Sequence, residues 1–330
     1  MLPLCFVTGA SGFVGRHLVP KLAQRYRLRL LVRPGQELPQ FANLDHERCE
    51  GRLDSATTLA NGVRGCDLVV HLAALVSFRA EDRAAMQSIN VDATAALAAA
   101  ARAANVRRFL HMSTISAVAY RDRPELADET ATYNFAPLHI GYCDTKFAAE
   151  RAVLSECARG LDAVIVNPPS MYGAGDRCKG DDSLLTAVLR GKIRMCPPGG
   201  INVANVDDVC DGVVAAIERG RSGERYLLGG ENLTGALLLQ RIANVIGARA
   251  PRHTLPRFVV RSAELLLRAK ERAFGSRPPL TSEILRLGTR FLWFDSNKAA
   301  TELGWRAGSV DPGIAAAWRE LQAADSQQFA

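Results

Sequence analysis

The chain has 330 residues, 48% apolar and 23% charged, enough to bury a sizeable core in one large or two modest domains and too apolar for a disordered or fibrous chain. Its 41 basic and 34 acidic residues leave a net charge of +7 but form no Lys/Arg-rich block, which argues against nucleic acid as a partner and fits an anionic small ligand as well. Eight scattered cysteines without a CxxC pair argue against zinc and for reduced thiols. The N-terminal MLPLCFVTGASGFVG lacks a basic leader, and no stretch approaches the ~20 apolar residues of a membrane span. The expectation is a cytoplasmic protein with a small-molecule substrate, no nucleic-acid partner and no integral membrane association.

In chain order the pattern alternates. A strand LCFVTG precedes a helix from about Phe13 to Arg25, then come RLRLLVR, DLVVHLAA at 67–74, an Ala-rich helix near 91–104, RRFLHMST, a helix near 142–159 and DAVIVNPP. Such βαβα alternation, with strands apolar on both faces, predicts an α/β fold: a doubly wound parallel sheet covered by helices. After Pro168 and Pro169 a Gly- and Asp-rich loop (YGAGDRCKGDD) leads to a helix near 183–191, the turn CPPGG, a helix within ANVDDVCDGVVAAIERG and a strand in ERYLLGG. The remainder reads as helices over 234–247, 257–274, 296–303 and 311–323. The helix over 257–274 is basic and amphipathic; it reads as packing an enclosing lobe, with membrane or lipid contact as the alternative.

Thr8-Gly9-Ala10-Ser11-Gly12-Phe13-Val14-Gly15 follows the first strand and opens a helix. Glycines there permit a tight turn and bring backbone N–H groups close to a pyrophosphate. The sheet is therefore of Rossmann type. Residues 1–168 and about 203–228 are expected to form the dinucleotide-binding domain, and about 169–202 and 229–330 a smaller, mostly helical C-terminal substrate lobe.

Tyr142 and Lys146 stand four apart at the start of a helix and share a face. A phenol, with its unperturbed pKa near ~10, needs a nearby cation to work as an acid–base at neutral pH. Ser113 and Thr114 close a strand at its carboxyl end, where a hydroxyl can hydrogen-bond a carbonyl or alcohol. His71 and His111 lie in strand-like runs and read as core residues.

Together these motifs resemble the extended short-chain dehydrogenase/reductase family nearly end to end. TGASGFVG matches its cofactor turn, HLAA (71–74) the strand beside the cofactor, and NVDATAAL (90–97) the helix carrying an active-site Asn. MSTISAV matches its catalytic hydroxyl segment, YCDTK its Tyr–Lys pair, and NVDDV (205–209) its return segment. The chain looks closest to the dihydroflavonol-reductase and 3β-hydroxysteroid-dehydrogenase-like branch. ERYLLGGENLT and FDSNKAATELGW look especially like proteins labelled hopanoid-associated sugar epimerases.

The resemblance implies Tyr142 as general acid/base, Lys146 as pKa-lowering cation and ribose ligand, Thr114 as substrate-polarising hydroxyl with Ser113 as the alternative, and Asn90 as relay or positioning residue. It implies cofactor contacts from Thr8, Gly9, Ser11, Gly12, Phe13, Val14, Gly15, Arg33, Leu53, Asp54, Leu72, Ala73, Ala74 and Ser113, from Tyr142 and Lys146, and from Pro168, Pro169 and Ser170. Two departures stand out. Thr114 replaces the usual Ser, and Arg52 follows Gly51 where the family has an adenine-binding Asp, leaving Asp54 as the substitute and Ser55 unassigned.

Arg33 lies eighteen residues after Gly15, at the end of the second strand, where NAD enzymes carry a carboxylate on the ribose 2′-hydroxyl. A guanidinium there suits a 2′-phosphate, so NADP(H) is expected rather than NAD(H). Ile115 and Ser116 follow Thr114 where family dehydratases have an Asp-Glu pair, and Ser170 stands where many nucleotide-sugar epimerases place Asn. The expected function is hydride transfer between a ketone and a secondary alcohol on an apolar dihydroflavonol-, steroid- or polyketide-like substrate. The alternatives are a nucleotide-sugar epimerase using transient oxidation by a tightly bound nicotinamide, and a regulatory protein without turnover. Loops at 75–85, 115–141 and 170–200 are expected to build the pocket, with Phe78, Phe135, Leu138, Ile140, Met171 and Tyr172 as apolar walls or as ordinary packing. The resemblance also allows a homodimer through the helices near 91–104 and 142–159.

Overall fold

The computed structural model describes residues 2–175, 184–251, 253–274 and 281–328. Strand and helix alternate through β1 (Leu4–Thr8), α1 (Phe13–Ala23), β2 (Arg27–Val32), β3 (Glu47–Glu50), α2 (Ala56–Val63), β4 (Leu68–His71), α3 (Arg83–Met86), α4 (Ala93–Ala103), β5 (Arg108–Met112), α5 (Gly141–Cys157) and β6 (Ala163–Asn167). Then follow β7 (Ser170–Tyr172), α6 (Leu184–Leu189), β8 (Met195–Cys196), β9 (Gly200–Asn205), α7 (Val206–Arg219) and β10 (Arg225–Leu227). The chain closes with β11 (Glu231–Thr234), α8 (Gly235–Ile246), β12 (His253–Thr254), α9 (Arg257–Phe274), α10 (Ser282–Leu287), β13 (Phe291–Leu292), α11 (Asn297–Leu303) and α12 (Asp311–Gln328).

The main sheet has seven parallel strands in the order β10-β6-β5-β4-β1-β2-β3. Every residue of β1, β4 and β6 is buried, which is why these strands read as unbroken apolar runs, whereas edge strand β3 alternates. One face packs Val7, Leu30, Val70 and Val164 with residues of α1 and α7, and the other packs Phe6, Val69, Phe109 and Ile165 with residues of α2, α4 and α5.

The Ala-rich helix is interrupted at its start. Gln87–Asp92 form a wide π turn between α3 and α4. The stretch expected near 203–228 in the dinucleotide-binding domain opens on the end of a strand, Gly200–Asn205, and the helix expected within ANVDDVCDGVVAAIERG runs from Val206 to Arg219. β9 pairs with β7, β11 and β13, so the second lobe carries a small sheet beside its helices. The helix expected near 183–191 spans Leu184–Leu189, residue 183 lying outside the described residues.

The helix expected over 257–274 forms as α9, but its packing is the reverse of that of an ordinary amphipathic helix. Its polar side faces the protein: Glu264 pairs with Arg286 at 3.0 Å, and Glu271 accepts hydrogen bonds from the Ser282 backbone at 3.0 Å and hydroxyl at 2.6 Å. Val260 is buried, while Phe258, Leu265, Leu266 and Phe274 are exposed. The helix thus meets the lobe through α10, whose side chains satisfy its carboxylates, and these four apolar residues are left outside.

Candidate active site

β1 and β4 are neighbours, and the chain reverses its winding between them, so their carboxyl ends open the crevice where a doubly wound sheet takes its ligand. Thr8 Oγ1 and His71 Nδ1 are 2.6 Å apart, and His71 Nε2 and Thr94 Oγ1 are 2.8 Å apart. Thr94 donates its hydroxyl proton to the Asn90 carbonyl at 2.7 Å, so His71 carries its proton on Nε2 and accepts from Thr8 at Nδ1. Burial pushes His71 down to about 3, with the Lys146 charge acting the same way, and holds His111 well below its usual value. Both are neutral core imidazoles.

The glycine turn is cut to fit. Gly9 has φ +78°, and a Cβ there would come within 2.6 Å of the Ala73 nitrogen. A Cβ on Gly15 would lie 2.4 Å from the Ala10 carbonyl oxygen. Gly12 caps α1 without a side-chain hydrogen bond, and the first turn holds no acid. No turn side chain thus competes for the first N–H groups of the helix, a donor set that fits an anionic pyrophosphate. Ser11 and Gly12 are exposed on this turn, Phe13 and Val14 partly so, and Leu72 and Ala73 border it with Ala74 exposed beyond.

Arg33 directly follows β2 and is exposed, its Nε 3.3 Å from Gln36 Oε1. Arg52 grips Asp54 through two hydrogen bonds of 3.0 and 2.9 Å, which holds the Asp54 carboxyl below its usual range. The expected substitute for the adenine-binding Asp is thus committed to its own neighbour. Leu53 is partly buried against the core, and Ser55 caps α2 by accepting from the Thr58 amide.

The wall opposite the turn gathers the remaining candidates. Thr114 is buried, its hydroxyl accepts from the Ser116 amide at 3.3 Å and lies beside the Tyr142 phenol, while Ser113 next to it faces Glu150. Of the two candidate hydroxyls, then, Thr114 meets the phenol. Burial pushes Tyr142 up to about 12, with the neighbouring Thr114 hydroxyl acting to lower it, so the phenol holds its proton at neutral pH. Lys146 is buried and donates from Nζ to the Met112 carbonyl at 2.7 Å; burial lowers it to about 8 while Glu150 acts to raise it. Asn90 accepts from the Leu75 amide at 2.7 Å and donates to the Leu75 carbonyl at 2.9 Å and Thr145 Oγ1 at 3.2 Å, tying the loop after β4 to α5. The Pro168 carbonyl accepts from the Ile115 amide at 3.0 Å; Pro168 and Pro169 are buried, and Ser170 is partly exposed at the start of β7.

Behind this wall lies a buried ionic cluster that the sequence reading missed. Glu150, fully buried, accepts from Asn167 Nδ2 at 2.6 Å and pairs with Arg225 at 2.9 Å. The same Asn167 amide donates to the Thr114 carbonyl at 2.9 Å. The signal was present: Tyr142, Lys146 and Glu150 recur every four residues along one helix, a spacing that lines one face.

Phe78 meets the Tyr142 ring edge-on, with centroids 5.6 Å apart, and also lines an open cavity of about 270 Å³ between Ala80, Arg83 and α9. Phe135 and Ile140 are fully buried and Leu138 and Tyr172 nearly so, hence these four are packing residues rather than pocket walls; Met171 is partly buried against the main core. Part of the pocket segment expected over 170–200 lies outside the described residues.

Residues 5–229 match the NAD dependent epimerase/dehydratase family. The 4-hydroxy-2-methyl-3-oxo-4-farnesyl-3,4-dihydroquinoline-1-oxide ketoreductase of Stigmatella aurantiaca is 34% identical over 313 residues, 92% of each chain. Sterol demethylase protein B of Methylococcus capsulatus is 32% identical over 302 residues, 90% of this chain and 92% of that one. The crystal structure of gox2253 superposes with a TM-score of 0.85 at 31% identity, covering 98% of each chain. The chain belongs to the NAD dependent epimerase/dehydratase family, within the extended short-chain dehydrogenases/reductases, whose chemistry is NAD(P)-dependent oxidoreduction.

Proposed function

We propose that the protein is an NADP(H)-dependent reductase that interconverts an apolar ketone and its secondary alcohol. The observation that carries this reading is the Tyr142 phenol, kept protonated at neutral pH by burial and set between buried Thr114 and the edge-on Phe78 ring. A protonated phenol is the form that carbonyl reduction needs, because the oxygen must gain a proton as the carbon gains a hydride. A nicotinamide held at the glycine turn would supply that hydride. Tyr142 donates the proton, Thr114 hydrogen-bonds the same substrate oxygen, and Lys146 and Asn90 hold the helix and the loop that carry the site. Arg33, exposed at the end of β2, takes the 2′-phosphate. The apolar substrate rests on Phe78 beside Tyr142 and on the relatives named for a farnesyl quinoline oxide and a sterol.

The test is NADPH consumption by the purified protein over a panel of polycyclic and polyprenyl ketones. Net oxidation supports the reading. Interconversion of nucleotide sugars with retained cofactor and no net redox change would replace it with an epimerase.

A further inference from the structure

α9 is 18 residues long, about 27 Å at ~1.5 Å per residue, and its outer face is apolar. Phe258 is 72% exposed, Leu265 61%, Leu266 74% and Phe274 79%. At 3.6 residues per turn, Phe258, Leu265, Leu266 and Ala269 fall on one stripe. Arg261, Arg268 and Arg272 run along one edge of that stripe and Lys270 along the other. Both acids of the helix, Glu264 and Glu271, are turned inward and bonded to α10, so the outer half carries only positive charge. A soluble lobe normally arranges such a helix the other way round.

We infer that α9 docks this protein onto an anionic lipid bilayer, lying in the plane of the interface with Phe258, Leu265 and Leu266 in the acyl region and its flanking Arg and Lys side chains among acidic headgroups. An apolar stripe with cationic borders is the pattern that binds such an interface, since acyl burial and headgroup attraction add. Among the described residues Arg261, Arg268, Lys270 and Arg272 have no acidic partner, which leaves their charge for the headgroups. Among the same residues no helix is long and apolar enough to cross a membrane, so α9 lies on the bilayer. Arg268 and Arg272 also border the cavity lined by Phe78, whose ring meets Tyr142.

Flotation of the full-length protein with vesicles tests this. Phosphatidylcholine vesicles containing about a quarter phosphatidylglycerol should carry the protein upward at low salt, and pure phosphatidylcholine vesicles should carry much less. Leu265→Ser with Leu266→Ser should lower the partition coefficient about tenfold or more, because two exposed leucines no longer enter the acyl region. Arg261→Glu, Arg268→Glu and Arg272→Glu together should abolish the preference for anionic vesicles. All substituted positions are exposed or partly exposed, so unchanged thermal midpoints check the fold. Wild-type protein that floats with neither vesicle overturns the proposal. So does a serine variant that dissociates from a larger oligomer in light scattering, for then a second copy of the chain covers the face. The readout is binding rather than turnover, and it is independent of the reductase reading.

Discussion

Phe78 lies edge-on to the Tyr142 ring with centroids 5.6 Å apart, setting an apolar side chain of the loop after β4 against the first turn of α5. Burial keeps the proton on that phenol, and replacing the phenol isolates its role. Tyr142→Phe should lower NADPH turnover by about a thousandfold while leaving NADPH binding nearly unchanged. Steady-state rates and a fluorescence titration of the cofactor measure the two. Undiminished turnover would remove Tyr142 from proton transfer.

Arg33 should discriminate between the two nicotinamide cofactors. A charge-assisted bond to a phosphate contributes about 1.5–3 kcal/mol, so Arg33→Ala should weaken NADPH roughly tenfold or more and leave NADH little changed. Competitive titration of both cofactors against the variant decides it, and equal losses for both would sink the assignment.

The cluster behind the site should matter for stability. Removing one partner of a buried ion pair leaves the other charge uncompensated, typically at a cost of about 3–5 kcal/mol. Glu150→Ala should therefore destabilise strongly, and adding Arg225→Met should recover part of the loss. A double-mutant cycle by denaturant titration reads the coupling. An additive cycle would mean the pair contributes little.

Lys146 gives a pH dependence with a defined sign. Its folded value of about 8 lies below the ordinary lysine value of 10.5, because burial penalises the charge. Between the two, the unfolded chain binds more protons, so this residue's contribution to stability rises with pH from about 8. Relative to Lys146→Met, the wild type should gain on the order of 1 kcal/mol per pH unit across that window. Paired thermal melts below and above the lower bound measure the gap; a pH-independent gap would contradict the buried ammonium.

Gly9→Ala should fail on two counts, since its φ of +78° disfavours a side chain and the added Cβ meets the Ala73 nitrogen at 2.6 Å. A loss of stability of about 2 kcal/mol together with weakened NADPH binding is expected. Melts and cofactor titration check both.

The sheet was legible because β1, β4, β5 and β6 are continuous apolar runs whose neighbours in sequence are helices. The second lobe was less so. β9 is paired by β7, β11 and β13, the last about ninety residues away, and nothing local in GINVAN announces those partners. Phe135, Ile140 and Tyr172 admitted both pocket contact and ordinary packing from their place in loops, and their burial decides for packing, since loops that fold back on a lobe bury their apolar residues like any core. Glu150 was passed over because a lone acid on a helix resembles a solvated one; only tertiary contacts with Asn167 and Arg225 reveal it as buried. α9 was legible as a basic amphipathic helix, but which of its sides packs is decided by partners on α10 rather than by the helix's own pattern.

The π turn at Gln87–Asp92 makes α3 and α4 one rod with two faces out of phase. Ahead of it Met86 is buried against Gly141 of α5, and behind it Thr94 reaches under the sheet to His71. The surplus residue lets Asn90 point at Leu75 and Thr145 while both flanks keep their own neighbours. Shortening this turn by one residue would rotate one flank about 100° against the other. It would uncouple the loop after β4 from α5 and leave the seven strands untouched.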